Sequence, residues 1–473
     1  MKLRIGMVLM LFIVLPLVTP AQETALQAQL RGEGDRVSES CTFSFKAIPG
    51  CAYTLFTDHP LHVAAGSMPP PNGFGLGAAF VWNKNTQNWR WSWDVDAVGS
   101  NNAAWRVGAY MRLVHNPHPK QSPIVVILPG QPGSGTEASP STAIFTHPYT
   151  VYDLYAQSIS LNELNYFGLG NDTLPAAKSV FGMSETIVAG MVTKPIYEWA
   201  RIKALHLSLL GEVNGRWVGI RPEVGQSVPS IGTLYNDATA PGLDNQPGFL
   251  QIGEGVRIKP TLGHFELNYI GKFQQFVAPS DSHNSFLRWT IDLDHTYNLY
   301  QRVSSSEPLP VGPDSCAPSG DPCPPISYTR NLTGSIGVRL LLSESISSAT
   351  SVVPFYFQPT LGGQDLNNNT AFGSYDDYRF RAPNLLLVQE TFEHSVWGPL
   401  GAKFEVDEGQ VAVARSDFGF DNFKHSFAAG ITLRAGAFPM VSLLFAWGGP
   451  EGHHTIFNMN TSLLGGAIRP TLD

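Results

Sequence analysis

From about Phe74 onward, apolar and polar side chains alternate in runs of roughly ten residues, each closed by turn residues. In Trp89-Arg90-Trp91-Ser92-Trp93-Asp94-Val95-Asp96, tryptophans and a valine take every second position. Successive strand side chains point to opposite faces, so this run presents one apolar face and one face of Arg, Ser and Asp. Residues 105–113, 287–294, 427–434 and 441–447 repeat the pattern. Strands are predicted to begin near 74, 89, 103, 151, 185, 201, 214, 249, 264, 286, 334, 353, 384, 402, 426, 440 and 455, about sixteen with one candidate surplus. A water-soluble sandwich also alternates, but these runs match the nine to eleven residues or so that a tilted strand needs to cross a bilayer. Open strand edges are intolerable in hydrocarbon, so the set must close on itself. The predicted fold is all-β, a 16-stranded antiparallel transmembrane β-barrel.

Composition sharpens this picture. Charged residues make up 14% of the chain, against about 25% in soluble domains. No long apolar run follows the N-terminus, which excludes a helical membrane protein. A net charge of −8 speaks against nucleic acid as a partner. Residues 1–21 read as a signal peptide: Lys2 and Arg4, an apolar stretch from Ile5 to Leu17, then Thr19 and Ala21 before cleavage. The first thiol is Cys41, too far along for a lipid anchor at the N-terminus. Cys41 and Cys51, and Cys316 and Cys323, form two close pairs with three possible connectivities. Local disulfides are the simplest, each contributing about 2.5 kcal/mol on the chain-entropy model; zinc is the rival, but the spacing is not that of a zinc site.

With an even strand count both chain termini lie on the periplasmic side. Counting back from the C-terminus, reversals at 448–454, 412–425, 359–383 and 303–333 are expected outside, together with 115–149. Those at 435–439, 398–401 and 345–352 are expected in the periplasm. Residues 22–73 read as a short periplasmic segment and 74–473 as the barrel.

Several segments carry a resemblance: Tyr166-Phe167-Gly168-Leu169-Gly170-Asn171-Asp172-Thr173, Pro354-Phe355-Tyr356-Phe357-Gln358-Pro359-Thr360, Leu361-Gly362-Gly363, the run from Phe372 to Arg381, Asn384-Leu385-Leu386-Leu387, Gly398-Pro399-Leu400-Gly401 and Val406-Asp407-Glu408-Gly409-Gln410-Val411. Together they resemble the BamA/TamA-type barrels of the bacterial surface-antigen family, over roughly 150–460. The resemblance implies a loop before the twelfth strand that folds into the lumen. In that family its (Val/Leu)-Arg-Gly-(Phe/Tyr) tip sets an Arg against an Asp of the following strand. Here the tip aligns with Phe372-Gly373-Ser374-Tyr375, so Gly373 and Ser374 stand in the Arg and Gly places. The acceptor is kept as Asp407, which alternation with Lys403 and Glu405 points inward. Arg379 or Arg381 is therefore expected to supply the missing cation. The gating set is Gly373, Ser374, Tyr375, Arg379, Phe380, Arg381, Asp407 and Gly409. Residues 22–73 are too few for one POTRA domain, the periplasmic recruitment module of the family. The terminal aromatic is also missing, so 455–459 is expected to be the closing strand.

Other chemistry finds little support. Gly130-Gln131-Pro132-Gly133-Ser134-Gly135-Thr136 has no Lys for a nucleotide phosphate. His453-His454, His59/His62 and His115/His118 are read as loop or surface histidines rather than metal ligands, and no Gly-x-Ser-x-Gly elbow occurs. Ser208 near His206 is no evidence for a barrel phospholipase. No enzyme activity, cofactor or metal is expected. The resemblance implies an outer-membrane location, contact with outer-membrane lipids, and nascent outer-membrane proteins or a periplasmic accessory protein as partners. A passive pore or structural barrel is the alternative function, and a soluble β-rich binding protein comes third.

Overall fold

The computed structural model describes residues 60–115 except 87, 124–128, 141–145, 149–198, 205–224, 228–262, 264–305, 328–397, 399–435 and 438–459, with Arg31, Gly32, Asp35, Ser38 and Glu39. The expected signal peptide and all four cysteines lie outside these residues. The chain divides into Met1–His62 and Val63–Asp473. In the first unit the described residues from Arg31 to Glu39 are helical.

Twenty strands follow among the described residues: β1 (Leu61–Ser67), β2 (Phe74–Asn85), β3 (Trp89–Ser100), β4 (Trp105–His115), β5 (Ile124–Leu128), β6 (Ser141–Phe145), β7 (Thr150–Tyr166), β8 (Ser179–Glu198), β9 (Leu205–Arg221), β10 (Gly248–Leu262), β11 (Phe265–Val277), β12 (Phe286–Ser305), β13 (Tyr328–Ile346), β14 (Thr360–Leu361), β15 (Phe380–Arg381), β16 (Asn384–Trp397), β17 (Leu400–Ala412), β18 (Lys424–Ala435), β19 (Phe438–Trp447) and β20 (His454–Met459). Sixteen are hydrogen-bonded in the order β1-β2-β3-β4-β7-β8-β9-β10-β11-β12-β13-β16-β17-β18-β19-β20, an antiparallel, nearly closed barrel. Two small ladders, β5 with β6 and β14 with β15, stand apart.

Polarity across the wall is inverted relative to a water-soluble sheet. On β3, Val95 is 46% exposed and Trp93 39%, while Asp94 is 1% exposed. Val107, Val213, Ile291, Phe404 and Phe445 likewise face outward. Lone apolar residues on an outer face are what acyl chains solvate, and a sandwich with tryptophans packed between two sheets is ruled out. Aromatics gather toward both rims. Trp105, Trp217 and the stacked pair Phe427–Trp447 lie near one, and Trp397, Trp89 against Tyr152, and Phe265 against Tyr297 near the other. On the inner face, charges pair between neighbouring strands: Arg106 with Asp96 at 3.1 Å, Arg112 with Asp153 at 2.7 Å, Arg216 with Glu185 at 3.1 Å and Arg339 with Asp292 at 2.9 Å. Burial of charge is tolerable only with such partners.

Three differences from the sequence-based expectation have physical causes. The candidates at 201 and 214 are one strand, β9, because Gly211 and Gly215 continue the ladder instead of turning. The candidate at 353 is not a strand. Phe355, Tyr356 and Phe357 are three consecutive buried aromatics in a 3-10 turn, where alternation is impossible. β1 precedes Phe74, its run of small residues (Ala64, Ala65, Gly66) hiding the alternation. Removing the strand at 353 reverses the parity of what lies before it, until the merging of 201 with 214 into β9 reverses it again. The reversals at 448–454, 412–425 and 359–383 share one end, and 398–401 and 435–439 the other, as expected. The stretches 303–333 and 115–149, however, join the end that carries 398–401, because Ser305 pairs with Tyr328 and His115 with Thr150 there. The stretch 345–352 joins the end that carries 359–383.

Candidate functional site

Between β13 and β16 the chain leaves the wall and enters the lumen. Pro354, with its fixed φ, opens a 3-10 turn over Phe355–Phe357. The three rings are buried among wall aromatics: Phe355 meets Tyr166 at 5.3 Å and Phe181 at 5.1 Å, and Phe357 meets Phe249 at 4.9 Å, edge to face. Such pairs contribute about 0.5–1.5 kcal/mol each beyond their buried area. Two guanidinium groups satisfy the turn's carbonyls. Arg288 on β12 donates to the Phe357 oxygen, and Arg381 donates to the Phe355 oxygen at 2.7 Å. Burial lowers the Arg381 guanidinium to about 10, which leaves it charged at neutral pH.

β14 and β15 then pair, Thr360 with Arg381 and Leu361 with Phe380. Gly362 (φ +115°) and Gly363 (φ +57°) carry the chain out of β14. An added Cβ at Gly363 would lie 2.2 Å from Asp377 Oδ1, so no other residue fits. Asn368, Phe372 and Tyr378 adopt φ near +60° without being glycine, at about 1–3 kcal/mol each. Their contacts compensate. The Tyr378 hydroxyl donates to the Pro70 carbonyl at 2.8 Å, and Asp377 Oδ1 accepts from the Gln364 N–H at 2.9 Å. Burial pushes the Asp377 carboxyl up to about 6, and Asp376 adds to the rise.

At the tip, the expected cation is absent from Asp407. Its Oδ2 accepts from the Phe372 backbone N–H at 2.7 Å and its Oδ1 from Gln389 Nε2 at 2.8 Å. Arg379 and Arg381 both point elsewhere, so the proposed Arg–Asp407 lock is not formed. A positive φ turns the Phe372 amide toward the carboxylate, and two hydrogen bonds hold the buried Asp407 where a guanidinium was expected. The loop is nonetheless anchored. The buried Ser374 N–H donates to Ser426 Oγ at 3.0 Å. Gly373 lies so close to the last strands that a Cβ would sit 2.5 Å from Ile456 Cδ1. Tyr375 packs on Phe380 at 5.1 Å.

Arg379 instead rivets the loop to two others. It is 2% exposed, sits 4.8 Å from the ring centres of both Phe167 and Phe380, donates to Glu451 at 2.6 Å, and reaches the hydroxyl and carbonyl of Thr173 at 2.5 Å. The sequence-predicted Gly373, Ser374, Tyr375, Arg379, Phe380 and Arg381 thus share one buried loop, with Asp407 on the wall beneath it. Gly409 lies apart on β17, where an added Cβ would be 2.2 Å from the Leu386 carbonyl oxygen. Sequence reasoning missed Gln389, Ser426, Thr173, Glu451 and Asn368. Their signal is a polar residue at a turn or on an inward strand position, too common to single out. Beside the loop a cavity of about 260 Å³ remains, lined by Lys272, Asp292, Arg339, Ser343 and Asp365 among others. What the assembly can do is mechanical: it fills the lumen and ties several walls to one hub.

No protein-family model matches the chain, and no curated protein matches it. Among solved structures, CdiB from Escherichia coli superposes with a TM-score of 0.49 at 10% identity, covering 85% of this chain and 62% of that one. CdiB from Acinetobacter baumannii gives 0.47 at 10% identity, covering 84% and 59%. BamA from Haemophilus ducreyi lacking POTRA domains 1-3 gives 0.44 at 8% identity, covering 84% and 69%. The chain therefore spans about three fifths of the length of the two CdiB chains it is similar to.

Proposed function

We propose that this chain is an outer-membrane barrel of the protein-assembly or translocation kind, whose working part is the seam between β1 and β20. The observation that supports this reading is the in-folded loop 347–383. It occupies the lumen and bonds to walls on both sides of that seam, through Pro70 on one side and through Ser426 and the Gly373–Ile456 contact on the other. A passive pore needs its wall but gains nothing from a lumen filled by a strained, many-anchored loop. In this reading the end bearing the loop faces outward, the opposite end faces the periplasm, and the lipid-facing belt meets outer-membrane lipids. Residues 1–21 serve as the export signal, with local disulfides at Cys41–Cys51 and Cys316–Cys323. Nascent outer-membrane proteins, or an accessory protein that delivers them, are the partners.

Depletion of the protein, followed by quantification of other outer-membrane barrels, tests this. Their abundance should fall, and the purified protein in planar bilayers should give small, flickering currents. Unchanged abundance together with large steady currents would mean a passive pore.

A further inference from the structure

Asn368 touches both end strands of the barrel. Its side-chain Nδ2 donates to the carbonyl of Ser67, the last residue of β1, at 3.2 Å. Its own carbonyl accepts from Asn458 Nδ2 on β20 at 2.9 Å. We propose that Asn368 is a clasp that holds the two sides of the seam together from inside the lumen. The inference rests on the barrel and seam of the proposed function, but not on any assembly activity.

The surrounding turn is built to present this residue. Asp365 Oδ1 accepts the N–H groups of Asn367 and Asn369, both at 2.8 Å, and its Oδ2 accepts from Asn369 Nδ2 at 2.9 Å. The backbone of Asn368 closes the turn by donating to the Asp365 carbonyl at 3.0 Å. This places Asn368 at φ +61°, a conformation that Asn tolerates better than other residues with a side chain. The Tyr378–Pro70 bond and the Gly373–Ile456 contact flank the clasp on the β1 and β20 sides. The clasp is also a weak one. Asn368 Oδ1 is buried without a hydrogen-bond partner among the described residues. An unmet acceptor offsets part of what the two bonds gain, so the seam is held but can be released.

Hydrogen exchange of the full chain in lipid nanodiscs tests the clasp. Asn368→Gly keeps the positive φ and removes only the amide side chain. Exchange over 63–67 should rise by about tenfold, with a smaller rise over 454–459, while 384–412 stays unchanged. Asn458→Ala should reverse the emphasis, raising 454–459 more. Ser426→Ala, which cuts a loop anchor on the wall, should leave both end strands as they were. The clasp is wrong if Asn368→Gly leaves 63–67 unchanged, if exchange rises equally over 384–412, or if Ser426→Ala has the same effect. A null result in the depletion experiment would not alter any of these outcomes.

Discussion

The barrel wall and the loop inside it are held by opposite kinds of interaction. Along the wall, stability is distributed: each outward apolar residue contributes by transfer to lipid, and neighbouring strands supply interchangeable backbone ladders. In the loop 347–383, stability is concentrated in single contacts between residues far apart in sequence, such as Arg379 with Thr173 and Glu451, or Phe372 with Asp407. The wall should therefore yield gradually to substitution, by depth. The loop should fail at particular residues.

Arg379→Ala should have the largest effect. It strands Glu451 and removes the filler between Phe167 and Phe380, and loss of one partner from a buried pair costs about 3–5 kcal/mol. Proteolysis of intact barrels within 347–383 should become rapid while the strands stay protected. If the loop remains resistant, Arg379 is not its rivet. Val95→Arg, at the middle of β3 on the lipid side, should cost about 2–4 kcal/mol in reversible unfolding from lipid. Trp91→Arg, nearer the rim, should cost about 0–1 kcal/mol. Equal costs at the two sites would break the depth rule for this wall. The smallest effect concerns pH. Burial raises Asp377 from 3.8 to about 6, so the docked loop prefers the protonated acid. Its contribution is full below the ordinary carboxylate range and is lost as pH rises through about 6. Asp377→Asn keeps the acceptor for Gln364 and should flatten loop protection between pH 4 and pH 7 or so. A wild-type loop already insensitive to pH there would refute the assignment.

The same contrast decides what the sequence makes legible. Alternation in Trp93, Val95, Ile291 and Phe445 reveals the wall because a period of two is imposed at every position. It fails where the pattern is interrupted by small residues, as in β1, where glycines inside a ladder read as a turn, as in β9, or where aromatics imitate it, as at Phe355, Tyr356 and Phe357. In the loop, the Gly362–Gly363 pair and the two arginines stand out, yet their partners do not. Asp407 is met by a backbone N–H, which every residue but proline carries, so no motif announces it. Arg379 finds Glu451 and Thr173 only after three separate loops have converged. Asn368 is one of three consecutive asparagines, and nothing local distinguishes it from its neighbours.

The inward carboxylates of β3 have one more consequence. Should that strand pair one residue out of step, Asp94 and Asp96 would turn outward into hydrocarbon and the tryptophans would crowd the lumen. Such an arrangement is penalised heavily by the bilayer, whereas in water it would be merely untidy. The membrane thus proofreads the fold: misaligned hairpins are rejected at insertion, before the interior loop has anything to dock against.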